Sequence, residues 1–157
     1  MGWTSTPFTD YDSDGCRDSS EDLDDDNDGV DDLDDLCPLG EVGWISTELT
    51  DYDGDGCRDA QEDDDYDNDG VLNQNDSCKR GDISWTSNST TDYDYDGCRD
   101  STEDLDDDND GVLDTRDLCS VGLSYWYSNS ETDYDSDGCY DEEESISCLL
   151  YTSDAAD

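Results

Sequence analysis

Histidine is absent from the 157 residues, which hold only 6 Lys and Arg, 2 Pro, 1 Met and 1 Phe. Without histidine the chain lacks the commonest zinc ligand and general base. Six basic side chains against 50 acidic ones give a net charge of −44, which opposes nucleic-acid binding. No apolar run approaches the roughly 20 residues that span a bilayer, and no signal-peptide pattern is visible. The single methionine is Met1, so there is no Met-rich groove of the kind a calcium sensor exposes. At 30% hydrophobic residues, such a chain buries too little apolar surface to offset its conformational entropy, which excludes an ordinary metal-free globular domain.

What the chain does hold is cysteine, glycine and a repeat. Eight cysteines point to disulfides and an oxidising compartment. The four tryptophans, Trp3, Trp44, Trp85 and Trp126, recur every 41 residues, as do Tyr11, Tyr52, Tyr93 and Tyr134. Two cysteine series share the period: Cys16, Cys57, Cys98 and Cys139, then Cys37, Cys78 and Cys119. The expected organisation is repeat 1 at 2–42, repeat 2 at 43–83, repeat 3 at 84–124 and a shortened repeat 4 at 125–147. Cys148 breaks the register, and the composition changes there. Residues 148–157 resemble the translation of a transposase adapter used in DNA library preparation, and are expected to be a non-native tail on a chain that naturally extends in both directions. No window shows sustained helical or alternating spacing, and the 13 glycines and the Asp, Asn and Ser clusters are turn formers. The expected fold is therefore mostly irregular: a loop-rich, metal-stabilised tandem repeat with little helix or strand.

Each repeat carries two acidic frames. A calcium loop of twelve residues offers oxygens from positions 1, 3, 5, 7, 9 and 12, with Gly at 6 for a sharp turn. The leading loop of repeat 1 fits with Asp10, Asp12, Asp14, the Cys16 carbonyl, Asp18 and Glu21. It returns as Asp51, Asp53, Asp55, Cys57, Asp59 and Glu62; as Asp92, Asp94, Asp96, Cys98, Asp100 and Glu103; and as Asp133, Asp135, Asp137, Cys139, Asp141 and Glu144. A trailing loop starts fourteen residues after the leading one: Asp24, Asp26, Asp28, the Val30 carbonyl, Asp32 and Asp35. Its copies are Asp65, Asp67, Asp69, Val71, Asn73 and Asp76, then Asp106, Asp108, Asp110, Val112, Asp114 and Asp117. One such match in an Asp-rich chain is weak evidence; seven in fixed phase predict seven Ca²⁺ sites. Magnesium is disfavoured because it demands octahedral geometry and keeps its waters. An EF-hand is excluded, since only Asp22 and Leu23 separate the first two loops and leave no room for helices.

Paired DxDxDGxxDxx(D/E) loops followed by cysteine, as in DDLDDLCP at 31–38, resemble the thrombospondin type 3 repeat family and similar repeats of microbial surface proteins, over roughly residues 2–145. The resemblance implies a chain wrapped around a row of calcium ions and stapled by disulfides. The sequence departs from the family's DNCP, reading DLCP, DSCK and DLCS, and adds the Trp segment. Two cysteine registers are open. Cys37–Cys57, Cys78–Cys98 and Cys119–Cys139 would close the Trp segments; Cys16–Cys37, Cys57–Cys78 and Cys98–Cys119 would bracket the trailing loops. The first is favoured, because the stretch after Cys37 has no ligands of its own and gains more from a cross-link. The resemblance points the same way, and would pair Cys16 with an upstream cysteine.

One Trp per repeat, with few other large apolar residues, reads as a miniature core rather than a sugar platform. Arg17, Arg58 and Arg99 read as neutralising nearby carboxylates. Asn88 in NST is a glycosylation acceptor pattern on a surface segment, and Asn75 matches inside a loop. The expected function is a calcium-rigidified spacer or fibre-forming rod of a secreted or cell-surface protein, with no enzyme activity and no membrane span in this stretch. Its expected partners are calcium and other copies of itself. The alternative is an adhesion module whose Trp faces bind cell-surface glycans.

Overall fold

The computed structural model describes residues 3–142. Glu144, Cys148 and the tail at 148–157 lie outside the described residues. Apart from the start of a helical turn at 141–142, the described residues carry neither helix nor strand. No helix among them is long and apolar enough to cross a membrane.

Loop formation has a local cause that recurs seven times. The N–H at position 9 donates to the carbonyl just before position 1: Asp18 to Thr9, Asp32 to Leu23, Asp59 to Thr50, Asn73 to Asp64, Asp100 to Thr91, Asp114 to Leu105 and Asp141 to Thr132. The side chain at position 9 returns the favour, its oxygen accepting the N–H of position 2, as from Tyr11 to Asp18 at 3.2 Å and from Asp107 to Asp114 at 3.0 Å. Asn73 serves as well as aspartate, taking the Tyr66 N–H through its amide oxygen at 3.3 Å. Between these straps the chain must reverse, and position 4 adopts a left-handed conformation in every loop. Ser13, Asn27, Gly54, Asn68, Tyr95, Asn109 and Ser136 all have positive φ there.

Loops are joined by ties far apart in sequence. The Tyr11, Tyr52 and Tyr93 hydroxyls donate to the Gly40, Gly81 and Gly122 carbonyls at 2.9, 2.9 and 2.6 Å, drawing each leading loop to the end of the trailing loop that follows it. Disulfides Cys37–Cys57, Cys78–Cys98 and Cys119–Cys139 then fasten each trailing loop to the next leading loop. This is the favoured register, and Cys16 is a free thiol. Beside each bridge the backbone pairs again: Leu36 with Asp55, Ser77 with Asp96 and Leu118 with Asp137. Packing there is so close that a Cβ on Gly56 would stand 2.1 Å from Asp35, so any side chain at this position would displace that carboxylate.

Apolar burial is confined to small patches. Trp44 is 8% exposed, and Cys57, Cys98 and Cys139 are buried as well. Arg58 lies over Trp44 and Arg99 over Trp85, each 5.9 Å from the ring, while Tyr140 meets Trp126 edge-on at 5.2 Å. The same arginines pair with Glu41 and Asp82, which bears out their reading as charge partners of nearby carboxylates. Most of what is fully buried is aspartate: Asp10, Asp26, Asp28, Asp51, Asp67, Asp69, Asp92, Asp108, Asp110 and Asp133. A core made of carboxylates is the reverse of an ordinary interior, where buried acids are rare unless paired.

Candidate metal centres

The trailing loops gather their carboxylates around a common point. In repeat 1, Asp24, Asp26 and Asp28 bring ligand oxygens within 4.8 Å of one another. One oxygen of each key residue is taken by the backbone. Asp28 accepts Val30 N–H at 2.8 Å, Asp26 accepts Gly40 N–H at 2.7 Å and Asp35 accepts Cys37 N–H at 2.5 Å. Their other oxygens, Asp26 Oδ1, Asp28 Oδ2 and Asp35 Oδ2, are buried with no hydrogen-bond partner. Repeat 2 leaves Asp65 Oδ1, Asp67 Oδ1, Asp69 Oδ2 and Asp76 Oδ2 in this state, and repeat 3 leaves Asp106 Oδ1, Asp110 Oδ2 and Asp117 Oδ2. These atoms belong to positions 1, 3, 5 and 12 of the frame. Among the described residues the carbonyls of Val30, Val71 and Val112 accept no hydrogen bond, leaving the position 7 oxygen available as well.

Burial raises the proton affinity of these groups. Burial, and then the neighbouring carboxylates, push Asp28, Asp35, Asp69 and Asp110 up to about 6 and Asp76 to about 7, against the bonds from backbone N–H groups. Asp26, Asp67, Asp108 and Asp117 move in the same direction, again mainly through burial. Carboxylates crowded in this way lower their energy by taking up a proton or a cation.

The leading loops are built differently. Asp51 accepts Gly54 N–H and Asp55 N–H on one oxygen, and Gly56 N–H and the Ser46 hydroxyl on the other, which uses all four lone-pair positions. Asp92 and Asp133 receive Ser87 and Ser128 in the same manner, each at 2.6 Å. Burial alone would raise Asp133, yet Ser128 and the surrounding N–H groups hold it below the ordinary aspartate value. Asp10, Asp12 and Asp14 cluster within 4.8 Å, as do Asp51, Asp53 and Asp55. Asp94 and Asp96 come together in repeat 3, and burial followed by Asp96 drives Asp94 up to about 7. Asp135 is exposed and Asp137 half-buried. Each aspartate at position 9, from Asp18 to Asp141, acts first as the strap described above.

Position 12 of the leading loops is where the structure departs from the frame. Glu62 turns its carboxylate toward Gly40 and Asp26 in the preceding trailing loop. Glu103 does the same at Gly81, where Oε1 accepts the Asp82 N–H at 2.6 Å. Glu21 is exposed. Beside the leading carboxylates stands the next residue instead. Asp22 groups with Asp14 and the Cys16 thiol, Asp63 acts on Asp53 and Asp55, and Asp104 acts on Asp94 and Asp96. The oxygens Asp22 Oδ2, Asp63 Oδ2 and Asp104 Oδ2 are buried without partners.

A second group outside the frame is the asparagine of the trailing loops. Asn27 Nδ2 donates to Asp12 at 2.6 Å, and Asn68 Nδ2 to Asp53 and Asp55 at 2.5 and 2.7 Å. Asn109 bonds Asp94 and Asp96 in the same way. The signal was present in the sequence as the recurring triplet Asn-Asp-Gly, since an amide there tolerates positive φ and adds two donors. No protein-family model matches the chain, and no curated protein matches it.

Proposed function

We propose that the chain is a calcium-binding structural region of a secreted or cell-surface protein, akin to thrombospondin type 3 repeats, that becomes an extended, semi-rigid spacer or fibre segment when its loops are filled. The observation that carries this reading is the set of buried, unpartnered oxygens at positions 1, 3, 5 and 12 of the trailing loops. Leaving a buried charged acceptor unsatisfied costs several kcal/mol, roughly, and here three or more converge in each loop. All the donors are oxygens and none is imidazole, a set that fits a hard cation of flexible coordination.

In trailing loop 2, Asp65, Asp67, Asp69 and Asp76 would hold the ion with the Val71 carbonyl. The bound cation would supply the positive charge that lets these carboxylates share one turn. Backbone N–H groups orient the carboxylates, and the Tyr–Gly ties and disulfides pass order from one loop to the next. Extracellular calcium modules work at about 10⁻⁴ to 10⁻³ M, and disulfides accord with an oxidising location. The covered state of Trp44 and the half-burial of Trp85 and Trp126 support a core role for these rings over a sugar platform.

A calcium titration followed by circular dichroism and small-angle scattering, and then by chelation, tests the proposal. The expected result is an expanded chain without calcium that contracts into an elongated particle of defined length. A profile that ignores the chelator overturns it.

A further inference from the structure

Asn88 lies between Cys78 and Cys98, in a segment that precedes leading loop 3 and supplies no ligand to either frame, and it opens the triplet Asn88-Ser89-Thr90. The triplet folds back on itself. Asn88 Oδ1 accepts the Thr90 N–H at 3.1 Å and the Thr90 hydroxyl at 2.6 Å, while Asn88 Nδ2 donates to the Thr86 carbonyl at 2.9 Å. Asn88, Ser89 and Thr90 are all exposed. A carboxamide has two N–H donors, and the bond to Thr86 engages one of them, which leaves the other without a partner among the described residues. These contacts bear on the reactivity of the nitrogen. Withdrawing a proton from Nδ2 places negative charge on Oδ1, and two donors already aimed at that oxygen favour the charged form. The nitrogen lone pair is then free to attack carbon.

Two other asparagines separate the parts of this arrangement. Asn129 is the counterpart of Asn88 one repeat further on, exposed and turned in the same way: Nδ2 donates to the Tyr127 carbonyl at 2.8 Å and Oδ1 accepts the Glu131 N–H at 3.0 Å. It has Glu131 where Asn88 has Thr90, so the turn is present and the hydroxyl is missing. Asn75 has the hydroxyl in sequence, as Asn75-Asp76-Ser77, and lacks it in space. Among the described residues no hydrogen bond joins its side chain to Ser77. Asp76 is buried, and the Ser77 N–H is tied to the Asp96 carbonyl at 2.7 Å beside the Cys78–Cys98 bridge.

We propose that Asn88 is a site of N-linked glycosylation, with a polyprenyl-diphosphate-linked oligosaccharide as donor. Nδ2 attacks the anomeric carbon of the reducing-end sugar. The nitrogen–carbon bond forms as the bond from that carbon to the diphosphate oxygen breaks; the lipid diphosphate leaves with the electron pair, the proton from Nδ2 passes to a base, and nothing is oxidised or reduced. The product amide keeps one N–H, as many as the bond to Thr86 needs, and its oxygen keeps both Thr90 donors, so the turn survives the modification. The glycan stands on the Trp segment and displaces no loop ligand. The proposal rests on the reading of the chain as secreted or displayed at a cell surface, the route on which such donors are met.

The test uses the full chain, produced through the secretory pathway of a eukaryotic host and collected from cells and medium together. Peptide N-glycosidase F in heavy-oxygen water converts each glycosylated asparagine to a labelled aspartate, with an enzyme-free control for deamidation. Trypsin then leaves Asn75, Asn88 and Asn129 on separate peptides, because Lys79, Arg99 and Arg116 lie between them. The label is expected at Asn88 and not at Asn75. Asn88→Gln and Thr90→Ala should each abolish it, and Glu131→Thr should add a label at Asn129. An unlabelled Asn88 in a chain whose circular dichroism responds to calcium overturns the site and leaves the calcium reading standing. A labelled Asn88 in a chain that ignores calcium keeps the site and overturns that reading. Labelling of Asn75 to the same extent as Asn88 overturns the part assigned to the turn.

Discussion

Leading and trailing loops share a motif and a backbone path, yet they differ in where donors reach their carboxylates, even though Asp53 Oδ1 in leading loop 2 is also buried without a partner. In leading loops 2 to 4 the first aspartate is a hydrogen-bonding hub: Asp51 draws four hydrogen bonds, one of them from Ser46 in the Trp segment, and Asp92 and Asp133 draw three each, whereas Asp10 draws one. In the trailing loops the aspartates at positions 3 and 5 are fully buried, and all of them except Asp108 have one oxygen fixed by an N–H and the other unpaired, as at Asp67 and Asp69. The difference shows that twelve residues of motif do not define a site. What neighbouring groups donate to each carboxylate decides whether it becomes a hydrogen-bonding hub or keeps a buried, unpartnered oxygen.

Removing divalent cations should produce the largest effect and should divide the two classes. Amide hydrogen exchange in the presence of a chelator is expected to show trailing-loop amides such as Gly70 and Val71 losing protection before leading-loop amides such as Gly56. Equal loss in both would abolish the distinction. Next in size is the staple between them. Cys78→Ser together with Cys98→Ser should cost about 2 to 4 kcal/mol in thermal or denaturant unfolding with calcium present.

Single aspartates sharpen the comparison further. Asp51→Ala strands four donors, so it should destabilise the chain by about 1 to 3 kcal/mol whether or not calcium is present. Asp69→Asn should instead leave the calcium-free chain as stable as before or more so, while weakening calcium binding at that loop about tenfold, worth about 1.4 kcal/mol. Calorimetric titration distinguishes the two outcomes, and a reversed pattern would refute the assignment of hub and ligand. Smaller still, Ser87→Ala removes one bond to Asp92 and should cost about 0.5 to 1.5 kcal/mol, independent of calcium.

Acidity offers a fourth way to separate the loops. A carboxyl raised to about 6 in the folded chain, as at Asp28, Asp69 and Asp110, favours folding fully below its ordinary value of 3.8. That contribution disappears as pH rises through about 6. Without calcium the chain should therefore be more compact at pH 4 than at pH 7.5. With calcium the trend should invert, because protons and cations compete for the same oxygens. Asp133, held below the ordinary value, should show the opposite dependence, its contribution vanishing only as pH falls through its lowered value. Carbon-detected carboxyl titration by NMR measures both.

How much of this was legible beforehand varies from residue to residue. The loop positions and the loop-rich fold follow from spacing. The acid or amide at position 9 was legible as well, although it proves to be a strap between Tyr52 and Thr50 or their counterparts as much as a ligand. Counting along the frame could not register that Glu62 and Glu103, at position 12 of leading loops 2 and 3, come close to Gly40 and Gly81 beyond the preceding trailing loops. Asp22 was passed over as part of a two-residue joint, and Asn27 as an ordinary turn former.

The sequence by itself determined where the chain turns, which carboxylates share a turn, and that its charge had to be neutralised if it was to fold. Those are consequences of spacing and composition within a dozen residues. Only the tertiary structure decided which carboxylate oxygens are already satisfied, which cysteine meets which, and that Arg80 pairs with Asp59. The disulfides and the Arg80 pair join groups 20 and 21 residues apart, and some carboxylate oxygens are satisfied from 14 residues away, as in Gly40 with Asp26, although the donors to Asp51 all lie within five residues of it. A frame read along the chain has no access to donors that arrive from across it.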